Sequence, residues 1–165
     1  MHVASWLETY VGIVPEEMLA TLSVSHRTVA WESILSNPIK HHQSTVYVAE
    51  VGGAIVGFGA CGEQRSIDLL DQGLGGEIGS LYVLLEFQRQ RIGRRLMSAL
   101  ADDLVGRGLR GVALWVLRDN GTARRFYERC AGELVGERKD VRGDAVLIEV
   151  AYGWNDIEIL RQRVQ

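Results

Sequence analysis

Cysteine is scarce in this chain of 165 residues, and that scarcity is the first constraint. Cys61 and Cys130 are too few for a disulfide framework or a zinc site, and their apolar neighbours suit buried, reduced thiols. The four histidines, His2, His26, His41 and His42, form no ligand spacing with a carboxylate or a cysteine, so no metal is expected. No apolar run approaches the roughly 20 residues a membrane helix needs. The opening Met1–Glu8 lacks a signal-peptide pattern and has helical spacing instead, so a cytoplasmic protein without membrane contact is expected. Two nucleotide motifs are also missing. No Gly-Lys-Ser/Thr follows a glycine loop, and no Gly-x-Gly-x-x-Gly is present, which excludes a P-loop and a dinucleotide fold. Repeats, low-complexity tracts and linkers are absent too, and the length suits one domain over 1–165.

What is present begins with a turn crowded by arginine. Phe87-Gln88-Arg89-Gln90-Arg91-Ile92-Gly93-Arg94-Arg95-Leu96 follows the apolar run 78–85 and leads into a helical pattern, in a chain of net charge −3. The first amides of a helix have no intrahelical acceptor and sit at the positive end of its dipole. With arginines added, the turn suits a phosphorylated ligand. A solvated basic turn is the plain alternative. A nucleic-acid patch is disfavoured, because aromatic interleaving is absent and the chain is acidic, so no nucleic-acid partner is expected.

The patterning around the turn predicts an element order. Residues 2–10 read as a helix, and a second helical region runs from about Glu16 to Leu35, irregular near Ser23–Ser25, with Trp31, Ile34 and Leu35 as its apolar face. Asn37-Pro38 ends it. Thr45–Val51 and Ala54–Cys61 form a hairpin around Gly52-Gly53. Glu63–Gly76 reads as a polar loop, and Glu77–Leu84 as a strand. Arg91–Arg107 is the best helix, with Leu96, Met97, Leu100, Ala101, Leu104 and Val105 in one stripe and Gly106 and Gly108 as its stop. Val112–Leu117 is apolar throughout, as in a strand buried on both faces. A helix follows with Ala123, Phe126, Tyr127 and Cys130 on one side, closed by Gly132. Glu133–Glu137 and Ala145–Ala151 are strands around Arg142-Gly143-Asp144, and 154–163 add a short helix. Strand–helix–strand steps imply a parallel pair, and the hairpins imply antiparallel edges. The expected class is α/β (α+β), a mixed central sheet flanked by helices.

That order, with those residues, resembles the GNAT superfamily of acyl-CoA-dependent N-acyltransferases. Gln88 to Gly93 is similar to the family's pyrophosphate loop, Gln/Arg-x-x-Gly-x-Gly/Ala, although Arg91 stands where the first glycine is usual. Asn120, Ala123 and Phe126-Tyr127-Glu128 are similar to its second motif, and 77–83 to its fourth strand. The resemblance covers residues 2–152. Family chains usually open with one more strand, so this chain is expected to lack that first strand or to start late, leaving Thr45–Val51 as an edge that a homodimer contact could cover.

The resemblance implies acetyl transfer from acetyl-CoA to an amine. It places coenzyme A between the strands 77–84 and 112–117. Backbone groups at Val83 and Leu85 would then hold the acyl carbonyl and the pantetheine arm. Gln88, Arg89, Gln90, Arg91, Ile92, Gly93 and Arg94 would hold the pyrophosphate. Tyr127 would be the acid that protonates the leaving thiolate, a role compatible with its place on the core stripe. Asn120 would bind the pantetheine arm, cap its helix, or do both. By period two Glu77 shares a face with Leu81 and Val83, which would aim it at the reacting centre as a base; the alternative is a solvated strand-start glutamate. Glu149 is a weaker candidate base. Trp6, Trp31 and Trp154 are candidates for an acceptor wall or for ordinary packing. The acceptor, a small-molecule amine or a protein amine, has no motif; the net charge leans slightly toward a cationic one. A non-catalytic acyl-CoA-sensing domain is the alternative function.

Overall fold

The computed structural model describes residues 1–164. Helices α1 (His2–Tyr10), α2 (Glu16–Ala20) and α3 (Val24–Ser36) precede the hairpin β1 (Thr45–Val51) and β2 (Ala54–Glu63). Then come α4 (Ile67–Leu70), β3 (Gly76–Val83), α5 (Ile92–Gly106), β4 (Val112–Leu117) and α6 (Gly121–Arg129). The hairpin β5 (Glu133–Arg142) and β6 (Ala145–Trp154) leads to α7 (Ile157–Val164). The six strands form one mixed sheet in the order β1-β2-β3-β4-β6-β5, in which β3 and β4 are the parallel pair. This is the expected mixed sheet flanked by helices. None of the described helices is long and apolar enough to cross a membrane.

The main core lies between one face of the sheet and α5, α6 and α7. Met97, Leu100, Ala101 and Leu104 of α5 pack against Ile78, Val112 and Leu114 of the sheet and Leu160 of α7. Burying each large chain contributes about 1.5–3 kcal/mol. The other face of β4 and β6 is covered by Leu69 and Leu74, and by Val14 and Leu19 at the end of β4. Cover on both sides explains why β4 is apolar at every position.

Several expectations change. The polar loop 63–76 holds the short helix α4, and its Leu69 and Leu74 are fully buried. They plug a patch around Ala113 and Ala151 that has no long helix over it. Strands β5 and β6 run longer than 133–137 and 145–151, because pairing continues through the charged residues 138–142 that hide the alternation. Helix α6 closes with Ala131, not Gly132, in the left-handed region (φ 61). Gly132 is needed for a different reason: a Cβ there would lie 2.8 Å from the Trp154 ring. Helix α3 buries no residue, and Leu35 is exposed, so its expected apolar face packs only in part.

The most consequential change lies in β3. A bulge places Cys61 opposite Ile78 and Ala60 opposite Ser80, so Gly79 is an extra residue. An inserted residue reverses the alternation beyond it. Leu81 and Val83 therefore join Ile92 and Leu96 on the α5 side. Tyr82 faces the other way, against Phe58 and Tyr10. Glu77 does not share a face with Leu81 and Val83.

Candidate active site

The parallel ladder between β3 and β4 contains only Gly76↔Val112 and Glu77↔Ala113. Beyond those two pairs the strands diverge. Between them opens a cleft of about 1190 Å³, lined by β3, β4, α1, α6 and the turn before α5. Its two ends differ in chemistry.

At one end is the arginine-rich turn. A 3-10 turn at Leu85–Phe87 brings the chain off β3, and Arg89 and Arg91 then adopt left-handed backbone, φ 63 and 64. This folds Arg91 into the N-cap position of α5. The amides of Arg89 to Arg94 find no acceptor among the described residues. Arg91 thus occupies a backbone conformation suited to the glycine usual there. Arg89, Arg91, Gly93 and Arg94 line the cleft, joined by Arg125 and Arg129 of α6. Gln90 bonds back to the Glu86 carbonyl at 3.1 Å, and Ile92 packs into the core. Gln88 is a staple: its side-chain amide donates to the Val83 carbonyl at 3.0 Å, and its backbone amide to Leu85. The amide of Leu85 donates to the Glu8 carboxylate of α1, at 2.8 Å.

Tyr127 and Asn120 come from α6 into the middle of the cleft. Asn120 is buried; its Oδ1 accepts from the Ala123 amide at 3.1 Å, which caps the helix, and its amide group remains without a partner among the described residues. Tyr127 is also buried, yet its hydroxyl has no hydrogen-bond partner among the described residues. Burial, with Tyr82 and Cys130 nearby, pushes its pKa above the ordinary tyrosine value, so it stays protonated.

The third part is Glu77 and what surrounds it. Its carboxylate accepts from Arg65 Nε and from the Arg65 backbone amide, both at Oε2, and from Nη2 at Oε1. Four lone-pair sites and three donors leave one site free. Glu149 is held by Arg138, whose Nε and Nη2 both meet Oε2 at 2.7 Å. Trp6 lines the cleft, whereas Trp154 is core, its indole donating to the Cys130 carbonyl at 2.8 Å. Trp31 bonds His2 Nδ1 at 3.0 Å. With Nδ1 accepting, His2 carries its proton on Nε2, and burial and Arg27 hold its pKa down at about 4. It is neither a base nor a cation near neutral pH. Sequence reasoning missed Arg27 and Arg65. Neither lies in a motif, and only long-range packing brings them to the cleft.

The sequence model of the Acetyltransferase (GNAT) family matches residues 8–132. The uncharacterised N-acetyltransferase YuaI of Bacillus subtilis is 32% identical over 162 residues, 98% of this chain and 87% of that protein. PaiA N-acetyltransferase from Thermoplasma acidophilum, solved in complex with coenzyme A, superposes with a TM-score of 0.64 at 20% identity, covering 89% of this chain and 86% of that one. YncA of Salmonella typhimurium, solved with its cofactor acetyl-CoA, gives 0.59 at 20% identity, covering 81% and 74%. With its diverging β3–β4 cleft, its basic turn and these relatives, the chain belongs to the GNAT acetyltransferase family.

Proposed function

We propose that the protein transfers an acetyl group from acetyl-CoA directly to a primary amine bound in the β3–β4 cleft. The observation that carries this is the pairing of two unmet needs along one cleft. Among the described residues, six consecutive amides, 89–94, lack acceptors at one end, and the protonated Tyr127 hydroxyl lacks a partner further in. A pyrophosphate satisfies the first, and a leaving thiolate the second.

The residues divide the work. Amides and guanidiniums from Arg89 to Arg94 hold the diphosphate, with Gln88 keeping the turn tied to Val83. Backbone groups at Val83 and Leu85 and the free amide of Asn120 hold the pantetheine arm, which requires Glu8 to release the Leu85 amide. The remaining lone pair of Glu77 takes the amine's proton through a water. The neutral nitrogen forms its bond to the thioester carbonyl carbon, the C–S bond breaks, and Tyr127 gives its proton to the sulfur. The second proton, lost by the nitrogen as the tetrahedral adduct collapses, passes through solvent to the phenolate, and Glu77 releases the first to bulk water. The products are the acetamide and free coenzyme A.

The test is thiol release from acetyl-CoA across a broad panel of amines, alongside calorimetric binding of acetyl-CoA. Binding with amine-dependent release is expected. Binding with no release by any amine would overturn transfer and leave an acyl-CoA-sensing domain.

A further inference from the structure

Charge at the far end of the cleft runs opposite to the chain's net charge. Both carboxylates lining that end, Glu77 and Glu149, are already held by Arg65 and Arg138. Neither is left to neutralise a polycationic ligand. Arg27 of α3 has the reverse condition. Its guanidinium lies over the Trp6 ring, 5.1 Å from the centroid, and makes no hydrogen bond or ion pair among the described residues. Stacking fixes the plane of a guanidinium while leaving its edge donors free. Arg142, at the end of β5, lines the same cleft and also the small side cavity beside Trp6 that Arg27 lines. Its Nε is bonded to Asp140, and its terminal nitrogens are unpaired among the described residues. The indole N–H of Trp115, beneath the guanidinium of Arg138, also lacks an acceptor among the described residues. One exposed carboxylate, Glu17, shares the side cavity with Arg27 and Arg142, so this end of the cleft still holds donors in excess.

We infer that the acceptor is a small primary amine that also carries a carboxylate, which Arg27 binds with Arg142 beside Trp6. This deepens the proposed transfer and rests on it. The nearby imidazole suits the assignment: His2, held neutral, adds no cation and presents an N–H. A planar carboxylate matches the guanidinium fork, and a charge-assisted pair of that kind fixes the amine's orientation as well as its affinity.

The experiment compares amino acids with their carboxamides, which keep the amine and remove the negative charge, and adds a diamine as a cationic comparator. Each is assayed with acetyl-CoA on the parent chain and on Arg27→Gln and Arg27→Lys. Acids are expected to have kcat/KM at least about 10-fold above their amides, the scale of a hydrogen bond to a charged group. Arg27→Gln is expected to remove that preference, chiefly by raising KM for the acids, with acetyl-CoA affinity unchanged. Arg27→Lys restores part of it, which a purely structural loss would not. Preference for amides or diamines, or an acid preference untouched by Arg27→Gln, overturns the inference while transfer stands. Where no amine releases thiol, calorimetric titration of the amino acids into the coenzyme A-loaded protein decides separately. Binding of acids lost in Arg27→Gln upholds carboxylate recognition without transfer, and no binding of acids overturns it.

Discussion

Arg65 holds Glu77 through its own backbone amide as well as its side chain. The amide and Nε reach Oε2 at 3.1 and 2.9 Å, while Nη2 reaches Oε1. The carboxylate is thereby fixed in place, with one lone pair left for a water. As the base, Glu77 is needed most where the amine arrives protonated. Glu77→Gln is expected to lower kcat/KM by roughly 10²-fold at neutral pH, with the deficit shrinking at high pH. Arg65→Gln should cost less and show no such pH dependence. Overlapping pH–rate profiles for Glu77→Gln and the parent would move the base role elsewhere.

Tyr127→Phe removes the unpartnered hydroxyl and leaves the packing. Turnover should fall on the order of 10²-fold or more, with acetyl-CoA affinity nearly constant. Because burial raises the phenol's pKa, activity in the parent should show no tyrosine ionisation near pH 10. Full turnover in the Phe variant would reduce Tyr127 to a packing role.

Arg91 has φ 64 at the N-cap of α5, a conformation that costs a residue with a side chain about 1 kcal/mol relative to glycine. Arg91→Gly should therefore raise the melting temperature by a few degrees, since about 1 kcal/mol corresponds to roughly 2–4 °C for a chain of this size. Coenzyme A affinity should fall if the guanidinium contacts phosphate, and hold if only the amide does. A lowered melting temperature would show that the Arg91 side chain supports the turn.

His2 links stability to pH. Its pKa is about 4 in the fold and near 6.5 in the unfolded chain. Between those values the unfolded chain binds more protons, so stability rises with pH across that window and is lost as pH falls through it. Thermal melts at pH 7 and pH 5 should show the drop, and His2→Gln, which keeps an acceptor for Trp31, should flatten it. An equal drop in the variant would assign it to other groups.

Much of this was legible from local pattern. The stripe on α5, the apolar run of β4 and the Asn120–Tyr127 spacing each report a period that packing enforces, and each element lies where that period places it. The site's finer geometry was not. Inserting Gly79 into β3 leaves no compositional mark, yet it turns Leu81 and Val83 toward α5 and Tyr82 toward Phe58 and Tyr10. Leu69 and Leu74 sit in a segment whose polar and glycine residues conceal them. Arg27 lies on a helix with no buried residue, so nothing in the sequence separates it from any solvated arginine.

Among the described residues, two ladder pairs join the β1–β3 half of the sheet to the β4–β6 half by backbone. The rest of that seam is held by side chains alone: α5 and α7 across the shared core on one face, and Leu69, Leu74 and the α1–α2 residues on the other. Amide hydrogens along β3 beyond Glu77 and β4 beyond Ala113 that point into the seam should thus trade with solvent deuterium faster than those in the hairpins. A ligand laid along the seam would act as a temporary seventh strand. Its arrival should slow that exchange on both sides together.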